Sequence, residues 1–149
     1  MEGAFYKEAI DYGTLGVLGL MGFIALFFSI ERWLYYRKVR IEGYDNKTQL
    51  EIDLTNNLSF VATIASNAPY VGLLGTVFGI MVTFYLIGQD GLTDTRSIMV
   101  GLALALKATA MGLAVAIPSM IAYNLLVRRT EVLLARWDIH TQKSDGETA

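Results

Sequence analysis

The sequence has 149 residues, 54% of them hydrophobic, a net charge of −2 and a mean hydropathy of +0.43. Three long segments lack Asp and Glu and hold a single charged residue between them, which excludes a soluble globular domain and makes the chain an integral membrane protein. There is no Cys and only one His, His140; disulfides, Cys-based metal or redox sites and His clusters are excluded, and the basic residues are not grouped as a nucleic-acid binder requires.

Residues Glu2 to Asp11 read as a short amphipathic helix at the membrane surface, with Phe5, Ala9 and Tyr12 on one side. The acids in this stretch make a poor signal peptide, so the apolar run that follows is expected to stay as a helix. That run, Tyr12 to Ile30, is the first spanning candidate. Gly13, Gly16, Gly19 and Gly22 keep one of its faces narrow, which lets membrane helices approach closely. It ends in Glu31, Arg32, Trp33, Tyr35 and Tyr36, a charged and aromatic interfacial belt. Arg37 to Asn57 is polar and is expected to form a short loop flanked by helical extensions.

Leu58 to Gln89 is uncharged. At about 1.5 Å per helical residue it is longer than a bilayer core of about 30 Å, so it tilts or protrudes. Pro69 divides it, and the part before Pro69 is expected to leave the membrane on the loop side. Gln89, Asp90, Gly91 and Asp94 suggest a short turn. Ser97 to Val127 is the third run, with Lys107 as its single charge and Pro118 as a candidate kink. Beyond it, Tyr123, Leu126, Val127, Thr130, Leu133, Leu134 and Trp137 follow helical spacing, which predicts an amphipathic rod. The tail from Thr141 to Ala149 is expected to be disordered.

Lys and Arg set the orientation. Arg32, Arg37, Lys38, Arg40 and Lys47 lie on the first-loop side and Arg128, Arg129, Arg136 and Lys143 on the C-terminal side, against only Lys7 and Arg96 opposite. The N-terminus is therefore expected outside and the loop and C-terminus in the cytoplasm. The predicted fold is an all-α membrane protein, one domain over 1–149, with spans at about 12–32, 66–88 and 97–121 and cytoplasmic stretches at 33–65 and 122–149.

Two stripes could carry chemistry. Pro69, Gly72, Thr76, Gly79 and Thr83 recur at steps of three and four, with Gly75 adding to the small-residue surface. Ala105, Thr109, Gly112, Ala116, Ser119 and Tyr123 repeat the pattern on the third run. Both fit helix packing through small residues, and both fit a pore wall whose Thr hydroxyls hold water. By helix rise Thr76 and Thr109 sit at similar depth, about 16 and 18 Å from the outer ends of their runs. Lys107 costs about 2.5–3.5 kcal/mol to insert, which points to a function or a partner, with snorkelling as the alternative. It sits about 200° around the helix from Thr109 and so faces another neighbour. No Asp or Glu lies in the three apolar runs, 12–30, 58–89 and 97–127. A Thr hydroxyl does not titrate near neutral pH, so a proton carrier would have to come from another subunit. No cofactor or metal is expected.

APYVGLLGTVFGIMVTF, from Ala68 to Phe84, and ALKATAMGLAVAIPSMIAYN, from Ala105 to Asn124, resemble the ExbB/TolQ/MotA proton-channel family, its ExbB branch most. The resemblance implies a homo-oligomeric ring, typically a pentamer, around an ExbD-like single-span partner whose membrane Asp carries the proton. It implies an inner-membrane complex that energises a TonB-like protein for transport across the outer membrane. The family's two pore Thr positions fall on Thr76 and Thr109, and Thr83 is taken as a further lining residue. A TolQ-like role in envelope maintenance and a non-conducting scaffold are the alternatives. Where many ExbB proteins carry a Glu, this chain has Leu104, with Lys107 one turn later. That argues against a mechanism needing the Glu and for a changed contact with the partner. The short cytoplasmic loop argues against a flagellar stator.

Overall fold

The computed structural model describes residues 2–90 and 95–147. They form four α-helices and one short 3-10 turn, with no strand among the described residues. Helix α1 is Glu2–Lys38, the 3-10 turn Ile41–Gly43, α2 Lys47–Thr55, α3 Leu58–Asp90 and α4 Thr95–Glu147. Three stretches are long and apolar enough to cross a bilayer: Tyr12–Lys38, Leu58–Gln89 and Ile98–Ser144. The chain is a multi-pass, all-α membrane protein.

The helices run further than the sequence suggests. Glu2 to Asp11 is no separate surface helix, because neither a proline nor a cap interrupts the chain before Tyr12 and α1 continues through it. Pro69 does not divide α3, and α4 continues through Pro118. A proline frees one backbone carbonyl, which neighbouring helices and local adjustment absorb in a membrane bundle. The tail expected to be disordered continues α4 to Glu147. Thr141 contributes there by donating to the Trp137 carbonyl at 3.1 Å. Of the turn proposed at Gln89 to Asp94, Gln89 and Asp90 belong to α3, and residues 91–94 lie outside the described residues.

Helices α3 and α4 pack antiparallel in a regular register. Thr83 faces Gly101, Gly79 faces Ala105, Gly75 faces Ala108, and Gly72 faces Gly112. Ala68 and Ala116 continue the series within one buried cluster. Each step of three or four residues back along α3 is matched by a step of three or four forward along α4. Helix α1 lies against this pair, with Thr14 on Gly75, Leu18 between Ala68 and Ala116, and Gly22 on Val115. Gly13, Gly16 and Gly19 meet no neighbouring atom of the described residues within 4 Å of a would-be Cβ. Among the described residues, the glycines of α1 meet another helix only at Gly22.

The loop is more ordered than a linker. Asn46 caps α2 by accepting from the Thr48 N–H at 2.8 Å. Asn57, at φ 63°, takes the left-handed conformation that Asn tolerates better than most residues, and this turns α2 directly into α3. Tyr36, Leu50, Leu54, Leu58 and Leu126 form a second buried cluster where α1, α2, α3 and α4 meet. Tyr123, Val127, Leu133, Leu134 and Trp137 pack on it. The apolar side of the predicted rod therefore faces the loop.

Candidate functional site

The site begins with a close backbone approach. A Cβ on Gly72 would lie 2.7 Å from the Ala108 carbonyl oxygen and 3.0 Å from the Gly112 Cα. A Cβ on Gly112 would lie 2.7 Å from the Ala68 carbonyl oxygen and 3.0 Å from the Gly72 Cα. Only glycine fits at either position. Gly75 and Gly79 extend the contact, since their added Cβ atoms would meet the Ala108 and Ala105 methyls at 2.9 and 2.8 Å.

This approach brings two hydroxyls together. Thr76 Oγ1 and Thr109 Oγ1 are 2.5 Å apart across the α3/α4 interface. The Thr76 hydroxyl also reaches the Gly72 carbonyl at 3.2 Å and the Ala105 carbonyl at 3.3 Å, and Thr109 reaches the Gly72 carbonyl at 3.4 Å. Each hydroxyl has one proton, so two wirings exist. If Thr109 donates to Thr76, Thr76 donates to a carbonyl; if Thr76 donates to Thr109, Thr109 donates to Gly72. Both wirings satisfy both donors. Lone pairs remain on the hydroxyl oxygens, so the pair can accept a bond from water or from a protonated acid. Thr76 is buried and Thr109 half-buried, so access to the pair is through Thr109.

The remaining sequence candidates fall elsewhere. Thr83 is buried two turns along α3, donates to its own Gly79 carbonyl at 2.8 Å, and lies against Gly101. It does not join the pair. Lys107 and Leu104 are both exposed and outside the α3/α4 contact stripe. Lys107 makes no ion pair among the described residues. Pro69 is half-buried and Pro118 exposed, each inside its helix. No group of His, Asp and Glu that could hold a metal occurs among the described residues.

Sequence reasoning missed a polar brace at the loop end. Arg32, read as an interfacial belt residue, is buried; it donates to the Asp53 carbonyl at 3.0 Å and pairs with Glu31 at 2.6 Å. The Tyr36 hydroxyl donates to the Leu54 carbonyl at 2.6 Å and accepts from Thr130 at 3.1 Å, joining α1, α2 and α4. Trp137 donates to the Tyr44 carbonyl at 3.0 Å, and Lys47 pairs with Asp138 at 2.6 Å. The Tyr44 phenol is pushed above its ordinary value, first by its hydrogen bond with Tyr35, then by burial and by Asp53. The signal was present in Leu50 and Leu54, an apolar pair four residues apart behind a capping Asn.

The model of the MotA/TolQ/ExbB proton channel family matches residues 36–139, which hold both Thr stripes and the part of the brace from Tyr36 onward. The chain belongs to this MotA/TolQ/ExbB family. A family relative, the biopolymer transport protein ExbB of Aquifex aeolicus (strain VF5), is 58% identical over 141 residues, covering 94% of this chain and 95% of that protein. A biopolymer transport protein ExbB of Helicobacter pylori (strain J99) is 54% identical over 136 residues, covering 91% and 94%. The Tol-Pal system protein TolQ of Pseudomonas aeruginosa is 45% identical over 87 residues, covering 58% of this chain and 38% of that protein. Within the family, the nearly full-length likeness is to the ExbB proteins, and it supports the ExbB-type proton-channel reading.

Proposed function

We propose that this chain is the proton-channel subunit of a motor in the bacterial inner membrane that uses the proton-motive force to energise TonB-dependent transport across the outer membrane. Copies of the chain form a ring, a pentamer as the resemblance implies. An ExbD-like single-span protein supplies a membrane Asp, and a TonB-like protein receives the work. The N-terminus faces the periplasm, and the loop brace and C-terminus face the cytoplasm, as the Lys and Arg distribution favours.

One observation carries this reading. The Thr76–Thr109 pair lies between helices whose apolar runs contain no carboxylate at all. Two hydroxyls with free lone pairs can steady water or a protonated acid, but cannot themselves carry charge near neutral pH. The pair is therefore complete as a binding element and incomplete as a relay, which suits a partner's Asp. Lys107 fits the same arrangement, because an exposed cation within a membrane run, with no ion pair among the described residues, seeks an anionic group on a partner or on another copy. Thr83 is the outlying member of this path.

The scaffold alternative also has an observation in its favour. The two small-residue stripes meet each other, as packing stripes do. Proton flux into vesicles holding this chain and its single-span partner separates the two: a channel conducts and a scaffold does not.

A further inference from the structure

A groove runs between α1 and α4, and no α3 residue lines it. It consists of adjoining cavities of about 250, 260 and 320 Å³. The first and second share Ser29 and Ala122, and the second and third share Trp33, Leu125 and Leu126, so they form one channel. Its deep end lies at Gly22, Ala25 and Val115. Its mouth lies at Trp33, Arg128 and Arg129.

The walls present almost no free polar group. The Ser29 hydroxyl donates to the Ala25 carbonyl at 2.6 Å, and Ser119 to the Val115 carbonyl at 2.7 Å. The mouth is the opposite. The Arg37 guanidinium lies 4.9 Å over the Trp33 ring, and Arg128 and Arg129 border the same opening. Arg128 shares its charge with Glu131 at 3.1 Å, whereas Arg37 and Arg129 make no ion pair among the described residues. The length is also informative. Gly22 to Trp33 spans about 16 Å of helix rise, close to the roughly 15 Å of hydrocarbon in one leaflet. The groove thus begins near mid-membrane and opens at the level where Trp and basic residues meet lipid headgroups.

We propose that this groove holds one acyl chain of an anionic glycerophospholipid, drawn from the leaflet on the loop side, with its phosphate at Arg128 and Arg129. The occupant follows from three matches: an apolar wall for a hydrocarbon chain, one leaflet of length, and a basic mouth at the headgroup. Basic pockets between membrane helices bind anionic headgroups for this reason. The inference does not depend on proton conduction.

Trp33 reports the test directly. The full-length chain is reconstituted in phosphatidylcholine vesicles with increasing fractions of phosphatidylglycerol or phosphatidylcholine brominated on the acyl chain. The quenched emission is taken as the difference between wild type and Trp33→Phe, which removes the contribution of Trp137. Brominated phosphatidylglycerol is expected to quench Trp33 with about a fivefold preference, the worth of roughly one unpaired basic residue at a membrane surface. Arg128→Gln with Arg129→Gln, both exposed and remote from the Thr pair, abolishes the preference and leaves quenching by either lipid. Equal quenching by the two lipids in wild type overturns the proposal, as does a preference that survives the double substitution. Absence of quenching by any lipid overturns it too, since the groove is then covered by protein.

Discussion

Thr76 and Thr109 place their hydroxyl oxygens 2.5 Å apart, on two helices whose backbones come together one turn away at Gly72 and Gly112. The two features depend on each other. Without the close approach, two Thr side chains on facing helices would each bond only to their own backbone, as Thr83 does with the Gly79 carbonyl. With it, the hydroxyls bridge the helices and share one carbonyl, that of Gly72.

The approach is tested at Gly72. In Gly72→Ala the new Cβ meets the Ala108 carbonyl and the Gly112 Cα, both backbone atoms that cannot rotate away. Separating the helices to admit it is expected to cost about 1–3 kcal/mol. Gly88→Ala is the control, because no neighbouring atom of the described residues lies within 4 Å of its added Cβ. Denaturant unfolding in detergent should show a clear loss for Gly72→Ala and a change within about 0.5 kcal/mol for Gly88→Ala.

The loop brace is expected to serve stability and not conduction. Tyr36→Phe removes a donor to the buried Leu54 carbonyl and an acceptor for Thr130. A loss of about 1–3 kcal/mol in unfolding free energy is expected, since a buried group is left without its partner. Proton flux per assembled complex should stay within about twofold of wild type, measured at a temperature where the variant remains folded.

Lys107 is exposed and makes no ion pair among the described residues, so its removal should not weaken the bundle. Lys107→Met is expected to unfold at the same denaturant concentration as wild type or a slightly higher one, since insertion of the Lys costs about 2.5–3.5 kcal/mol. Its effect should appear in recovery of the ring or of the single-span partner by affinity purification. Unchanged recovery together with unchanged flux would make it a snorkelling residue.

The sequence was a good guide to what lies inside the membrane and a poor one to what lies at its edge. The stripes of Gly72, Thr76 and Gly79 and of Ala105, Thr109 and Gly112 were legible because helical periodicity puts small residues on one face whatever they meet. That the stripes meet each other was not legible, because a packing face and a pore wall have the same composition. The two Thr residues proved to be at one level because antiparallel helices of matched register must bring equal depths together. Arg32 and Tyr36 were misread for a different reason. Their partners are backbone carbonyls of Asp53 and Leu54, and a carbonyl leaves no mark in a sequence. The helical run of α4 to Glu147 was hidden by a polar composition that suits either an exposed helix or a coil.

The central claim is that the paired hydroxyls, and not merely the helix contact, serve proton passage. Thr76→Val keeps the side-chain volume and removes one hydroxyl, while Thr109 can still donate to the Gly72 carbonyl. The loss in stability should be small, about 0.6 kcal/mol for an average hydrogen bond between membrane helices. The direct measurement is pH-driven proton flux into vesicles containing the chain and its single-span partner, compared for wild type, Thr76→Ser, Thr76→Val and Thr83→Val. The account predicts flux for wild type and Thr76→Ser, its abolition in assembled Thr76→Val complexes, and a smaller loss for Thr83→Val. Undiminished flux through Thr76→Val, or none through wild type, would contradict it.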